Sequence, residues 1–116
     1  MISCGDVFWL TLRGQGSEPD GRRPVVVVQQ DRFNRTALAT AVVAAVTTNL
    51  RLAAMPGDVI LGKGEAGLPK PCVVNVTQLQ TVDKSRLAER AGRLGERKRA
   101  EVEAGLALVL GSGLAR

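Results

Sequence analysis

The sequence predicts a mainly β domain, a small barrel or strongly curved sheet covered by one C-terminal helix. Three observations predict it. Short apolar runs recur between turns rich in Gly and Pro, which is how successive strands read. Those runs are dominated by β-branched Val and Thr, which fit a pleated surface better than a helix. Only the last segment, Glu96 to Leu110, carries a helical stripe.

The elements follow in order. Asp6 to Leu12 alternates as a first strand, with Val7, Trp9 and Thr11 on one face and Phe8, Leu10 and Leu12 on the other. Residues 13–23, RGQGSEPDGRR, form a polar loop. Pro24 then opens PVVVVQQ, whose four consecutive valines predict a strand buried on both faces. Residues 31–36 are a polar connection. In ALATAVVAAVTT, residues 37–48, the alanines permit helix, but Thr40, Val42, Val43, Val46, Thr47 and Thr48 tip it to strand. A loop over 49–57 leads to a short strand in GDVIL, 57–61, and the turn GKGEAGLPKP leads to a long strand, CVVNVTQLQTV, over 72–82. DKSRL resembles one helical turn and AERAGRL, 88–94, a short closing strand. In the helix, Val102, Leu106, Val109 and Leu110 recur at i, i+4, i+7 and i+8, and Gly111 ends it. The 116 residues read as one domain without linker or repeat.

Composition excludes whole classes of chemistry. There is no histidine, so His-based acid/base pairs and nucleophile systems, and most zinc sites, are ruled out. With one Trp, two Phe and no Tyr, the chain cannot read bases on a platform of several aromatic rings. The net charge of +5 suits an anionic partner such as nucleic acid. Cys4 and Cys72 make no disulfide framework and no CxxC, so free thiols in a reducing compartment are expected. The start MISCGDV is not a secretory signal, and the uncharged run from Thr36 to Leu50 is too short to span a bilayer. A cytoplasmic protein without a membrane segment is the expectation.

Two motifs are set aside. Gly62 to Gly67 spells GxGxxG after a strand, but Pro69 and Pro71 block the helix that would hold a pyrophosphate. The carboxylates Glu18 and Asp20 share one loop without an EF-hand pattern, so no metal site is expected. What remains is the loop with Ser17, Glu18, Arg22 and Arg23, and the strand end Thr47-Thr48-Asn49. Pro24 restricts Arg23 to extended backbone, and an arginine held that way suits two-pronged capture of a phosphate. A hydroxyl at another strand end could add a second donor. Taken alone, these residues favour a plainer account, with both arginines solvated surface charges and Thr47 an ordinary sheet residue.

The order of motifs along the chain changes that balance. GDVFWL at 5–10, GSE with GRRPVVVVQ at 16–29, FNR at 33–35, AVVAAVTTNL at 41–50, PGDVIL at 56–61, VTQLQTVDKSRL at 76–87 and EVEAGLALVLG at 101–111 together resemble the MazF/PemK family of toxin endoribonucleases. The resemblance runs from about Gly5 to Gly111. It implies an SH3-like antiparallel barrel that forms a homodimer, with single-stranded RNA bound along a groove at the subunit interface. It implies cleavage without a metal or other cofactor, leaving a 2′,3′-cyclic phosphate and a 5′-hydroxyl. It carries the family's catalytic arginine onto Arg23 and its catalytic hydroxyl onto Thr47. Ser17 and Glu18 then lie in the loop over the RNA, and Gln78 near the groove. Arg22 is read as a plain phosphate contact. The sequence departs from the pattern where Asp-Pro is usual after the first strand and where SEP replaces SEQ. A cognate antitoxin with an acidic C-terminal segment is the implied protein partner. The gyrase poison CcdB shares this fold, so a non-enzymatic toxin stays open beside the endoribonuclease, as does an RNA-binding module without cleavage.

The chemistry fits the residues available. Cyclising cleavage uses the RNA's own 2′-hydroxyl as nucleophile, so the protein supplies orientation, charge stabilisation and proton transfer. Arginine stays protonated and is easier to assign as acid than as base. Glu18 is the carboxylate near enough in sequence to serve as base.

Overall fold

The structure is a computed structural model that describes residues 1–18 and 20–111. Six strands form one antiparallel sheet in the order β4-β5-β3-β2-β1-β6. They are β1 (Asp6–Leu12), β2 (Gly21–Val27), β3 (Thr40–Thr47), β4 (Val59–Leu61), β5 (Cys72–Asp83) and β6 (Glu89–Arg93). A helical turn α1 (Asp31–Asn34) links β2 to β3, and helix α2 (Glu96–Leu110) closes the described chain. The expected mainly β architecture with a C-terminal helix is what forms. The sheet curls into a half-barrel whose edges, β4 and β6, are not hydrogen-bonded to each other.

Alternation along each strand makes two cores, one on each face. Val7, Val26, Ala44, Val46, Val74 and Val76 pack on the face that α2 covers with Val102. Phe8, Leu10, Val25, Val27, Val43 and Val82 pack together on the other. This is why the valine run of β2 is buried throughout, since Val25 and Val27 serve one core and Val26 the other.

Close backbone approach shapes the edges. The glycine-rich segment set aside above folds into a short 3-10 turn, Glu65–Gly67, laid on β6. A Cβ on Gly67 would sit 2.0 Å from the Ala91 carbonyl oxygen, so glycine is required there for packing and not for a phosphate. On the other edge, a Cβ on Gly105 would sit 2.1 Å from the Gly57 oxygen, and that contact seats α2 beside β4. Lys98 Nζ adds a hydrogen bond to the Ile60 carbonyl at 2.6 Å.

Three expectations are corrected. β2 begins at Gly21 and not at Pro24, because Arg22 and Arg23 pair with Thr11 and Leu10 of β1. The polar connection over 31–36 contains α1, where Asp31 accepts hydrogen bonds from the Cys4 amide at 2.7 Å and the Asn34 amide group at 3.1 Å. The helical stripe is buried only over its first half. Val102 is buried and Leu106 packs on the core, but Val109 is 38% exposed and Leu110 65%. The pattern identifies a face, and the sheet beneath it ends before that face does.

Candidate active site

The ends of β2 and β3 lie side by side, since Val25 pairs with Ala45 and the two strands run antiparallel. Arg23 and Thr47 each lie two residues beyond that pair, on the same face. Gly16, Ser17, Glu18 and Asp20 of the connecting loop line the space beside them. Gly14 donates its amide to Asp20 Oδ1 at 3.1 Å, and Gln15 donates its amide to Glu18 Oε1 at 2.9 Å. The Nε of Arg23 donates to the Asp20 carbonyl at 2.8 Å. That bond orients the guanidinium, and among the described residues no acceptor takes its two terminal amino groups. The Thr47 hydroxyl accepts the Asn49 amide at 3.1 Å. Its oxygen is thereby fixed while its own hydrogen remains available to a ligand.

The third wall comes from a slip in β5. Ala45 pairs with Asn75 but Ala44 pairs with Leu79, so residues 76–78 bulge from the ladder. At its start the Asn75 Oδ1 accepts from both the amide (3.2 Å) and the hydroxyl (2.7 Å) of Thr77, local bonds that compete with the ladder. The bulge turns Gln78 into the same space.

Ser17, Glu18, Arg23, Thr47 and Gln78 therefore line one cavity of about 300 Å³. Asp20, Leu52 and Asn75 line it too, and the sequence reading did not single them out for the site. An Asn-Val-Thr in the middle of a valine strand was the available signal for Asn75, because Asn side chains compete with sheet hydrogen bonds.

Arg22 is elsewhere. It projects from the opposite face of β2, pairs with Glu89 of β6 and stacks over the Trp9 ring at 4.4 Å from its centroid. It lines a second cavity of about 250 Å³ with Trp9, Lys70 and Cys72, and Arg23 borders both cavities. Cys4 and Cys72 are free and buried. Burial pushes both thiols up from their ordinary value, so neither is a thiolate nucleophile at neutral pH. Among the described residues no group of three His, Cys, Asp or Glu side chains is placed to hold a metal ion. No described helix is long and apolar enough to cross a membrane.

Fold and cavity together define a small β domain that holds an oriented arginine and a hydroxyl at an open cleft of about 300 Å³. Residues 3–110 match the family of PemK-like, MazF-like toxins of type II toxin–antitoxin systems, and the chain belongs to that family. It is 42% identical over 111 residues to endoribonuclease MazF6 of Mycobacterium tuberculosis, covering 95% of this chain and 97% of the relative. It is 40% identical to endoribonuclease MazF of Staphylococcus epidermidis, covering 96% and 92%. Among solved structures, MazF of Deinococcus radiodurans superposes with a TM-score of 0.76 at 28% identity, over 95% of this chain and 96% of that one. A MazE–MazF structure from the same organism gives 0.71 at 26% identity, over 95% of each chain.

Proposed function

We propose that this toxin is a metal-independent endoribonuclease that cuts single-stranded RNA at specific sequences to leave 2′,3′-cyclic phosphate and 5′-hydroxyl ends. Relatives at 40–42% identity are endoribonucleases. The observation that carries the reading onto this chain is the meeting of Arg23 and Thr47, with Ser17, Glu18 and Gln78, around one cavity.

In that cavity the 2′-oxygen of the substrate attacks phosphorus and the bond to the 5′-oxygen breaks. Arg23 places its free terminal amino groups on the nonbridging oxygens, where charge builds in the transition state. Protonated throughout, it hydrogen-bonds the departing 5′-oxygen, which takes its proton from solvent water to leave as the 5′-hydroxyl. The Thr47 hydroxyl gives a second, neutral hydrogen bond. The 2′-hydroxyl proton goes to a carboxylate. Glu18 takes that role, with Asp20 the other carboxylate within the cavity. Ser17 and Gln78 orient the strand on either side.

Incubating the chain with single-stranded RNA in EDTA tests this. Fragments with cyclic-phosphate and 5′-hydroxyl ends are expected. RNA left intact would contradict it, and is what a gyrase poison would give.

The MazE–MazF assembly of Deinococcus radiodurans supports an antitoxin as partner here. An acidic segment of that antitoxin would compete with RNA for the same cations, with salt-sensitive association. The reading also places the toxin in the cytoplasm as a homodimer. Sedimentation at micromolar concentration should give twice the chain's mass, and a fully active monomer would contradict it.

A further inference from the structure

We infer that the second cavity, walled by Trp9, Arg22 and Lys70, is a nucleotide subsite that takes one base, with its phosphate, of the RNA strand next to the scissile bond. This rests on the reading above that the strand in the first cavity is RNA.

Continuity is the first argument. The two cavities lie on opposite faces of β2 and β3 at the ends of those strands, and both are bordered by Arg23 and Val46. A strand whose phosphate sits on Arg23 reaches the second cavity without leaving the protein surface.

Charge is the second. Glu18 and Asp20 line the first cavity, whereas among the described residues every charged one lining the second is a cation: Arg22, Arg23 and Lys70. Glu89 stands outside it and pairs with Arg22. A cleft lined by one sign of charge concentrates counter-charged ligands.

Shape and chemistry are the third. The Arg22 guanidinium carbon sits over the Trp9 indole, 4.4 Å from its centroid, and Glu89 of β6 pairs with the same guanidinium. Unpaired bases stack on aromatic rings or on arginine planes, and this wall offers an arginine already seated on an aromatic ring. The floor is apolar and neutral. Leu68 is buried there, and the buried Cys72 thiol donates to the Lys70 carbonyl at 3.1 Å. Such a floor suits a flat base and not a second phosphate. Pro69 and Pro71 stiffen the backbone around Lys70, so little ordering is needed to bind.

Trp9 is the only tryptophan, so its fluorescence reports this cavity directly. The full chain is titrated with 2′-O-methyl hexanucleotides of each of the four bases, which cannot cyclise because the attacking hydroxyl is blocked. At least one should change Trp9 fluorescence in a saturable manner. Thr48→Phe, one residue past the end of β3 at the exposed rim, fills the cavity and should weaken that ligand about tenfold or more, the scale of one stacked base. Lys70→Ala, on an exposed loop, should lower the salt dependence of log K by about 0.7, the contribution of one phosphate on a single strand. A parent chain that cuts RNA while no oligonucleotide perturbs Trp9, or whose ligand Thr48→Phe binds equally well, overturns the subsite and leaves the cleavage reading standing. A saturable Trp9 response lost in Thr48→Phe, with no cleavage by the parent in EDTA, supports the subsite and overturns the cleavage reading.

Discussion

Arg22 and Arg23 are neighbours in sequence and opposites in structure. Arg23 is oriented by one backbone hydrogen bond and borders a cavity that also holds two hydroxyls and two carboxylates. Arg22 sits over Trp9, pairs with Glu89 and borders a cavity whose charges, among the described residues, are all positive. The period-2 geometry of a strand is the whole reason for the difference. One register position decides whether a guanidinium sits with acids that can move protons or on a surface suited to holding a base. On the proposed reading, chemistry and recognition are thereby assigned to two faces of one strand and joined at its end.

The sharpest way to break that contrast is to exchange the losses. Arg23→Ala should lower the single-turnover cleavage rate about 10²-fold or more, by analogy with losing one preorganised donor. Arg23→Lys should recover only part of it, because an ammonium lacks the planar two-pronged geometry. Thr47→Val keeps the shape of β3 and deletes one neutral hydrogen bond, so a loss of about tenfold in the same assay is expected, with the melting transition intact. Arg22→Ala should weaken RNA about fivefold, in equilibrium titrations below 0.1 M salt, and its loss should fall on affinity and not on the saturated rate. Equal rate losses for Arg22→Ala and Arg23→Ala would erase the distinction.

A region remote from both cavities gives the smallest effect. Asp31 is held by the Cys4 amide and the Asn34 side chain, and those hydrogen bonds keep its carboxyl below the usual carboxylate range. A depressed folded-state value means that the stabilisation is present above the unfolded value. It is lost as pH falls through the acid range toward the folded one. Asp31→Ala should cost about 1 kcal/mol in denaturant titrations at neutral pH, less at acid pH, with cleavage unchanged. An Asp31→Ala penalty that grew on acidification would show the sign to be wrong.

Legibility followed how local each cause is. β1 and α2 were readable to the residue, because alternation over 6–12 and the stripe from Glu96 are written in adjacent positions. The start of β2 was not, since it depends on Arg22 and Arg23 pairing across to β1. The bulge at 76–78 needs the register of β5 against Ala44 and Ala45, which no single segment contains. The exposure of Leu110 reflects where the sheet stops, again a tertiary fact. For the site, the residues alone favoured surface charge for Arg23. Family resemblance supplied Arg23, Thr47, Ser17, Glu18 and Gln78 as a set, and their meeting around one cavity is a fact of the fold. Asp20 joined the site only with the loop in place, and Asn75, which Asn-Val-Thr in a valine strand signals, joined it only through the bulge.

The central claim is that Arg23 and Thr47 act together on one phosphate, and a double-mutant cycle measures that directly. Single-turnover cleavage in EDTA at saturating protein is compared for the parent, Arg23→Ala, Thr47→Val and the double variant. Groups serving one transition state are strongly non-additive, so the double variant should be little slower than Arg23→Ala alone. Losses that multiply in full, or a Thr47→Val chain as fast as the parent, would contradict it.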